Sequence, residues 1–253
     1  MPMYCGLFLS FYKNVNATSL PGECMTKGEC AIVFTDGPFS VTPEILDTFQ
    51  NTKKKASFLF SLQHDTPQTQ AIIKRAVDEG HTVGLRLDPG RDYSEAEREN
   101  IELDINQQIE NMDNITGESL TYITSTMGSD GKPDPVVYDY LYNKKLIQVG
   151  YSFCPFDDDQ VDPVEATEKF FKRRNDKFDS FIILIYGNRL DSMDQLKEIM
   201  GKVTEKGFKL VTLDKCLDGY EYGTDITKQK KNASGVSSFL NMSFIHLLIN
   251  FTL

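Results

Sequence analysis

Short apolar runs alternate with helix-like segments along most of the chain, and this pattern restricts the fold more than any other feature. Ala31-Ile32-Val33-Phe34 is apolar and ends at Asp36-Gly37-Pro38, so it reads as a buried strand leading into a turn. Thr42-Pro43-Glu44 then opens a helix, with Thr42 as the expected cap and proline at the first position. Ala56 to Leu62 reads as a second strand, and Thr66-Pro67 caps a helix running toward Glu79 that Gly80 stops. Thr82 to Leu85 is a third strand. Ser94-Glu95-Ala96-Glu97 has capping-box spacing. From it a long helix carries Ile101, Ile105, Ile109 and Met112 on one face. Strands are expected again at 120–123, 146–152, 181–186 and 208–213, with a helix over 192–205 joining the last two.

Such alternation favours a mainly parallel sheet with right-handed crossovers. Seven or so strands in 253 residues favour an α/β fold of closed or nearly closed (β/α) barrel type over an open sheet. In a barrel the chemistry gathers at the C-terminal ends of the strands, so candidate residues are sought there. The length suits a single domain.

The net charge is -10, which disfavours a nucleic-acid partner. The Lys53-Lys54-Lys55 and Lys172-Arg173-Arg174 runs read as solvated faces.

Both ends depart from this body. Residues 1–20 begin with an apolar run, Met1 to Phe11, which resembles a secretory signal peptide without its positive n-region. A buried N-terminal strand is the alternative. Residues 221–253 form a polar linker and an apolar tail from Phe239 to Leu253. Fifteen helical residues reach roughly 22 Å against a ~30 Å hydrocarbon core, and Asn241, His246 and Asn250 suit lipid poorly. A spanning helix is not expected. Small residues at Ala233-Ser234-Gly235 resemble a GPI-anchor signal, with a plain amphipathic tail as the alternative. Either would give membrane association. Asn-X-Ser/Thr sequons at Asn16, Asn114, Asn232, Asn241 and Asn250 suit a secreted, cell-surface or cell-wall glycoprotein. Asn114 is the most informative, lying in a turn-like Asn-Ile-Thr-Gly. Of the five cysteines, Cys5 would leave with a signal peptide, and the remaining four permit disulfides.

The order of segments is more specific. Cys24, Ala31 to Pro38, Gly80 to Gly84, Asn114 to Gly128, Gly150 to Pro163, Phe181 to Tyr186 and Gly207 to Leu217 together resemble the NodB-type polysaccharide deacetylases, carbohydrate esterase family four. The resemblance spans about 24–220. It implies a distorted (β/α) barrel that removes acetyl groups from chitin, peptidoglycan or related glycans. It also implies a divalent metal, usually zinc, held by one Asp and two His, with a second Asp as base and a late His as acid.

The family's Thr-Phe-Asp-Asp-Gly-Pro stands here as Val33-Phe34-Thr35-Asp36-Gly37-Pro38. Thr35 replaces the base, and its hydroxyl cannot take a proton from water near neutrality. Asp36 survives as the one family metal ligand, though an Asp before Gly-Pro is equally a turn former. Arg86 and Gly90 replace the two His ligands, and His81 matches a framing, structural histidine. Arginine has no lone pair to donate. We expect Arg86 to point at Asp36 and fill the metal's place with an ion pair, so no cofactor is expected. Asp88 or Asp92 could give a weak oxygen site for a harder ion.

The family's orienting Arg becomes Thr124, and its aromatic becomes Met127. Two acidic positions survive at Asp159 and Asp162, without the family's Arg partner. Their loop reads as a solvated acidic loop or a calcium or magnesium site. The late His becomes Tyr186, whose ordinary pKa of about 10 makes a poor acid. Sugar binding is also weakened on paper. The chain has no Trp, so binding to a wall glycan such as chitin is expected to be weak or absent. The resemblance further implies a Cys24–Cys216 disulfide, while Cys30 and Cys154 read as buried thiols.

The sequence therefore points to a deacetylase-like surface protein that is catalytically inactive. Two alternatives stand beside this reading: a metal-dependent N-deacetylase using displaced ligands, and a non-catalytic glycan-binding protein.

Overall fold

A computed structural model describes residues 20–93, 95–126 and 133–221. The readings made for residues 1–19, for Ser94, for Met127 and for the tail beyond Glu221 lie outside the described residues.

Strand β1 (Glu29–Thr35) is the hub of a seven-stranded parallel sheet. It pairs with β6 (Phe181–Tyr186) along Cys30–Thr35, with β2 (Ser57–Phe60) along Val33–Thr35 and with β7 (Lys209–Val211) along Glu29–Ala31. Because β6 fills one edge of β1, β2 and β7 share the other. Strands β3 (Thr82–Arg86), β4 (Tyr122–Thr124) and β5 (Ile147–Gln148) follow β2, giving the order β5-β4-β3-β2-β1-β6.

The expected strand over 146–152 contracts to Ile147–Gln148. Its continuation turns to the N-terminal segment, where Gly150 N–H donates to Pro21 O. A Cβ on Gly150 would come 2.9 Å from Leu20 Cβ. Beyond it, Phe153 bridges Ile183 of β6, and Ser152 N–H and Leu184 N–H bond across that gap to Ile182 O and Phe153 O. The sheet thus curls into a distorted barrel whose last gap is closed by irregular backbone.

Alternation along the strands divides the core in two. Ala31, Val33, Leu59, Tyr122 and Ile182 pack inward with Val211 and Leu213. Ile32, Phe34, Phe58, Phe60, Leu85, Ile123 and Ile183 face the helices. The interior is tight. A Cβ at Gly84 would lie 2.4 Å from Tyr122 O and 2.5 Å from Leu59 Cδ2.

Helix α1 (Thr42–Thr52) is capped by Val41, not Thr42. The Thr42 hydroxyl instead accepts from Phe39 N–H at 2.9 Å and ties the preceding turn to the helix. Helix α2 (Pro67–Asp78) has the expected cap at Thr66, completed by Thr69 as a capping box. Helix α3 (Arg98–Thr116) begins later than the spacing suggested, with Glu97 at its N-cap and no side-chain cap bond. It buries Ile101, Ile105, Gln108, Met112 and Ile115, while Ile109 is only half-buried.

Helices α4 (Pro135–Asn143) and α5 (Pro163–Phe171) were not anticipated, although each opens on an Asp-Pro pair. The Asp134 carboxylate accepts from Val136 and Val137 N–H, and that of Asp162 from Val164 and Glu165 N–H. An Asp cap followed by proline at the first helical position is a recognisable start signal. Helix α6 (Met193–Glu205) is capped by Ser192, and short α7 (Leu213–Cys216) packs under the barrel. There Leu213 N–H donates to Ser57 Oγ at 2.8 Å, and Thr82 Oγ1 donates to Asp214. Cys24 and Cys216 form a disulfide that ties the two ends of the domain together, while Cys30 and Cys154 are buried outside it.

Candidate functional site

Strand register brings the predicted positions together. Thr35 is level with Tyr186 across β1 and β6, and Arg86 with Thr124 across β3 and β4. All four continue the inward-facing rows at the C-terminal strand ends, two residues beyond Val33, Leu184, Gly84 and Tyr122. Thr35 is buried, and Thr124 and Tyr186 are half-buried.

Asp36 follows β1 in a left-handed turn with φ 66, a conformation Asp and Asn tolerate better than other non-glycine residues. Its N–H donates to Leu59 O at 3.1 Å, and Ser61 N–H donates to Gly37 O at 2.9 Å, so β2 fixes the turn from the side. A Cβ at Gly37, with φ 78, would meet Phe39 N at 2.9 Å. Asp36 is therefore a turn residue and a site residue at once.

Arg86, at the end of β3, sends its Nε to Asp36 Oδ1 at 3.3 Å. Its Nη2 donates to Thr126 Oγ1 at 3.3 Å. The two side chains are only 11% and 15% exposed, so their attraction is weakly screened. Arg86 Nη1 is buried without a hydrogen-bond partner among the described residues, as is Ser125 Oγ.

Gly90 does not reach toward this pair through a side chain. It sits in an exposed turn where its N–H donates to Asp88 Oδ1 at 2.8 Å. Asp88 Oδ2 in turn faces Arg91 Nε at 3.5 Å. His81 lies away from the site, at the start of β3. Its Nδ1 accepts from Ala56 N–H at 3.0 Å, and its ring meets Phe49 and Phe58 edge-on. Burial, helped by the nearby Lys55 charge, lowers its pKa to about 4.

Residues 22–152, more than half of the chain, match the family described as polysaccharide deacetylase. The chain belongs to that family. It is 25% identical over 201 residues to a probable peptidoglycan-N-acetylglucosamine deacetylase of Arthroderma benhamiae, covering 77% of this chain and 45% of that protein. The chain thus spans under half the length of that relative. Among solved structures, the chitin deacetylase of Colletotrichum lindemuthianum superposes with a TM-score of 0.68 at 19% identity, over 80% of this chain and 92% of that one. A structure described as a family four carbohydrate esterase pseudoenzyme of Bacillus anthracis superposes with a TM-score of 0.61 at 14% identity, over 76% of this chain and 66% of that one.

Deacetylases of this family are expected to hold zinc, and the donor set here does not fit it. One carboxylate, Asp36, is present with a guanidinium 3.3 Å away, where catalytic zinc wants three lone-pair donors and an open position. Among the described residues no group of three His, Cys, Asp or Glu side chains is disposed to hold a metal.

The acidic loop differs from the reading that left it without an Arg. Arg189, in the single 3-10 turn after β6, forms an ion pair with Asp159. It also donates to Phe156 O at 2.8 Å and lies over the Phe156 ring at 5.3 Å. No motif in the sequence marks Arg189, which lies three positions past the end of β6. Asp162 is the N-cap of α5. Asn114 is exposed, but it lies in the last turn of α3 and not in the turn read from the sequence, because the helix continues to Thr116 before Gly117 ends it at φ 75.

Proposed function

We propose that this chain is a non-catalytic polysaccharide deacetylase-like protein of the cell surface or wall, with no bound metal. The observation that carries the reading is the Arg86–Asp36 pair at 3.3 Å, which puts a fixed cation beside the one remaining family ligand. A divalent ion there would face a like charge that cannot be titrated away. The base position is Thr35 and the acid position Tyr186, so neither proton transfer is served. Each such role is worth roughly 10²–10⁴ in rate, and the losses overlap instead of multiplying.

Three of the carboxylates that could serve a displaced metal site are already engaged. Asp88 binds Gly90 N–H and faces Arg91, Asp159 pairs with Arg189, and Asp162 caps α5. Secretion, N-glycosylation and anchoring through the tail belong to the same proposal and rest on the sequons and the apolar ends. The test is acetate release from acetylated chitooligosaccharides and peptidoglycan fragments in the presence of added zinc or cobalt. The proposal expects release at the buffer rate. Turnover that saturates with substrate refutes it.

A further inference from the structure

Helices α2 and α3 each cross back between parallel strands and pack against one another. Their C-terminal turns therefore lie at the end of the barrel where the strands begin, opposite Asp36 and Arg86. Between those turns is an open cleft of about 320 Å³, at the lower end of the range that small ligands fill. Lys74, Val77 and Asp78 form one wall, and Asn114, Thr116 and Gly117 the other.

The α3 wall is held in place. Thr116 Oγ1 donates to Met112 O at 3.0 Å and accepts from Glu118 N–H at 3.3 Å, and Leu120 N–H donates to Asp113 Oδ1 at 2.8 Å. A Cβ on Gly117 would meet nothing within 4 Å, so the cleft is open beside it. On the α2 wall Val77 is half-buried, while Lys74 and Asp78 are exposed. These two charges stand four residues apart on one helix, yet among the described residues neither is in an ion pair.

Asn114-Ile115-Thr116 is a sequon, and Asn114 stands exposed at the rim of the cleft. Among the described residues no hydrogen bond holds its side-chain amide. The first sugar of an N-linked glycan is N-acetylglucosamine, joined through that amide. Its ring has faces lined by C–H groups, with hydroxyl and acetamido groups around the edge. Val77 and the methylene stem of Lys74 suit a ring face. The Lys74 ammonium and the Asp78 carboxylate suit the acetamido oxygen and the hydroxyls. The covalent tether makes this contact intramolecular, so weak complementarity is enough to fill the cleft.

We propose that the cleft between α2 and α3 seats the first N-acetylglucosamine of a glycan on Asn114, which clamps the ends of the two helices together. The inference rests on the secretory reading above, which supplies the glycan. The sugar leaves the opposite, Asp36–Arg86 end of the barrel uncovered, and its seat is independent of whether the barrel is catalytic.

The full chain is secreted from a eukaryotic host that makes high-mannose glycans, and occupancy of Asn114 is read by glycopeptide mass. Endoglycosidase H then trims each glycan to a single N-acetylglucosamine. We expect the trimmed and untrimmed proteins to melt together, about 2–4 °C above Asn114→Gln. In the K74A/V77S background Asn114→Gln should lower the melting temperature no further, a comparison that also removes any effect of the glutamine itself. Lys74→Ala alone, a change at an exposed position, should shrink the gain and serves if the double variant does not fold. Trimmed protein that melts with Asn114→Gln overturns the seat, as does a gain that both wall variants leave unchanged. Either result with Asn114 occupied leaves the secretory reading standing. An Asn114 that stays unmodified overturns the seat and, with it, N-glycosylation at this position.

Discussion

Arg86 Nε and Asp36 Oδ1 lie 3.3 Å apart at the C-terminal mouth of the barrel, 50 residues apart in sequence. Register alone makes this possible: β2 separates β1 from β3, and Asp36 is the first residue past β1 while Arg86 is the last of β3. Both side chains are mostly buried. Removing one partner of such a pair leaves an uncompensated charge, which is costly, whereas removing both is far less so. Asp36→Asn or Arg86→Met alone should each destabilise by about 2–4 kcal/mol, with the double variant falling well short of the sum. A double-mutant cycle by urea denaturation measures this, and strict additivity would dissolve the pair as a unit.

His81 makes stability depend on pH. Its folded pKa is about 4, below the ordinary 6.5, chiefly through burial. The unfolded chain therefore binds more protons between these values, so stability rises with pH across that window. The contribution is complete above pH 6.5 and is lost as pH falls toward 4, amounting to on the order of 3 kcal/mol. His81→Gln should flatten the pH 4–6.5 part of the stability profile. An unchanged slope would show that carboxylates alone produce it.

The Cys24–Cys216 disulfide closes a loop of 192 residues. Cross-linking so long a loop restricts the unfolded chain strongly. The pair C24A/C216A should lower stability by roughly 2–5 kcal/mol. Thermal melts with and without reductant provide the check, the wild type shifting and the variant not.

Gly84 tests the tightness of the barrel interior. A methyl group there meets Tyr122 O and Leu59 at contact distances no real carbon tolerates. Gly84→Ala should cost about 1–3 kcal/mol or more through overpacking. A neutral result in denaturant titration would mean that β4 moves aside freely.

The barrel was legible because its strands announce themselves by composition. Phe181–Tyr186 was read to the residue, since six consecutive apolar or aromatic residues between polar flanks admit little else. Strand β5 was overread, because Gly150 and Ser152 spend their backbone N–H bonds on the N-terminal segment and on β6, a partnership that sequence spacing does not encode. Asp162 illustrates a different limit. It was read for its charge as part of an acidic loop, while its carboxylate caps α5. The Arg86–Asp36 contact followed from the family frame, although the strands that end at these residues flank β2 and are not the adjacent strands expected from the sequence. Arg189 lay outside any motif, and only folding carries it to Asp159.

The central claim is that Arg86 occupies the place of a metal. Its most direct test is zinc content after equilibrium dialysis of the folded chain, with acetate release recorded on the same sample. The account predicts far less than one zinc per chain and no acetate above buffer. One tightly held zinc per chain together with acetate release would contradict it.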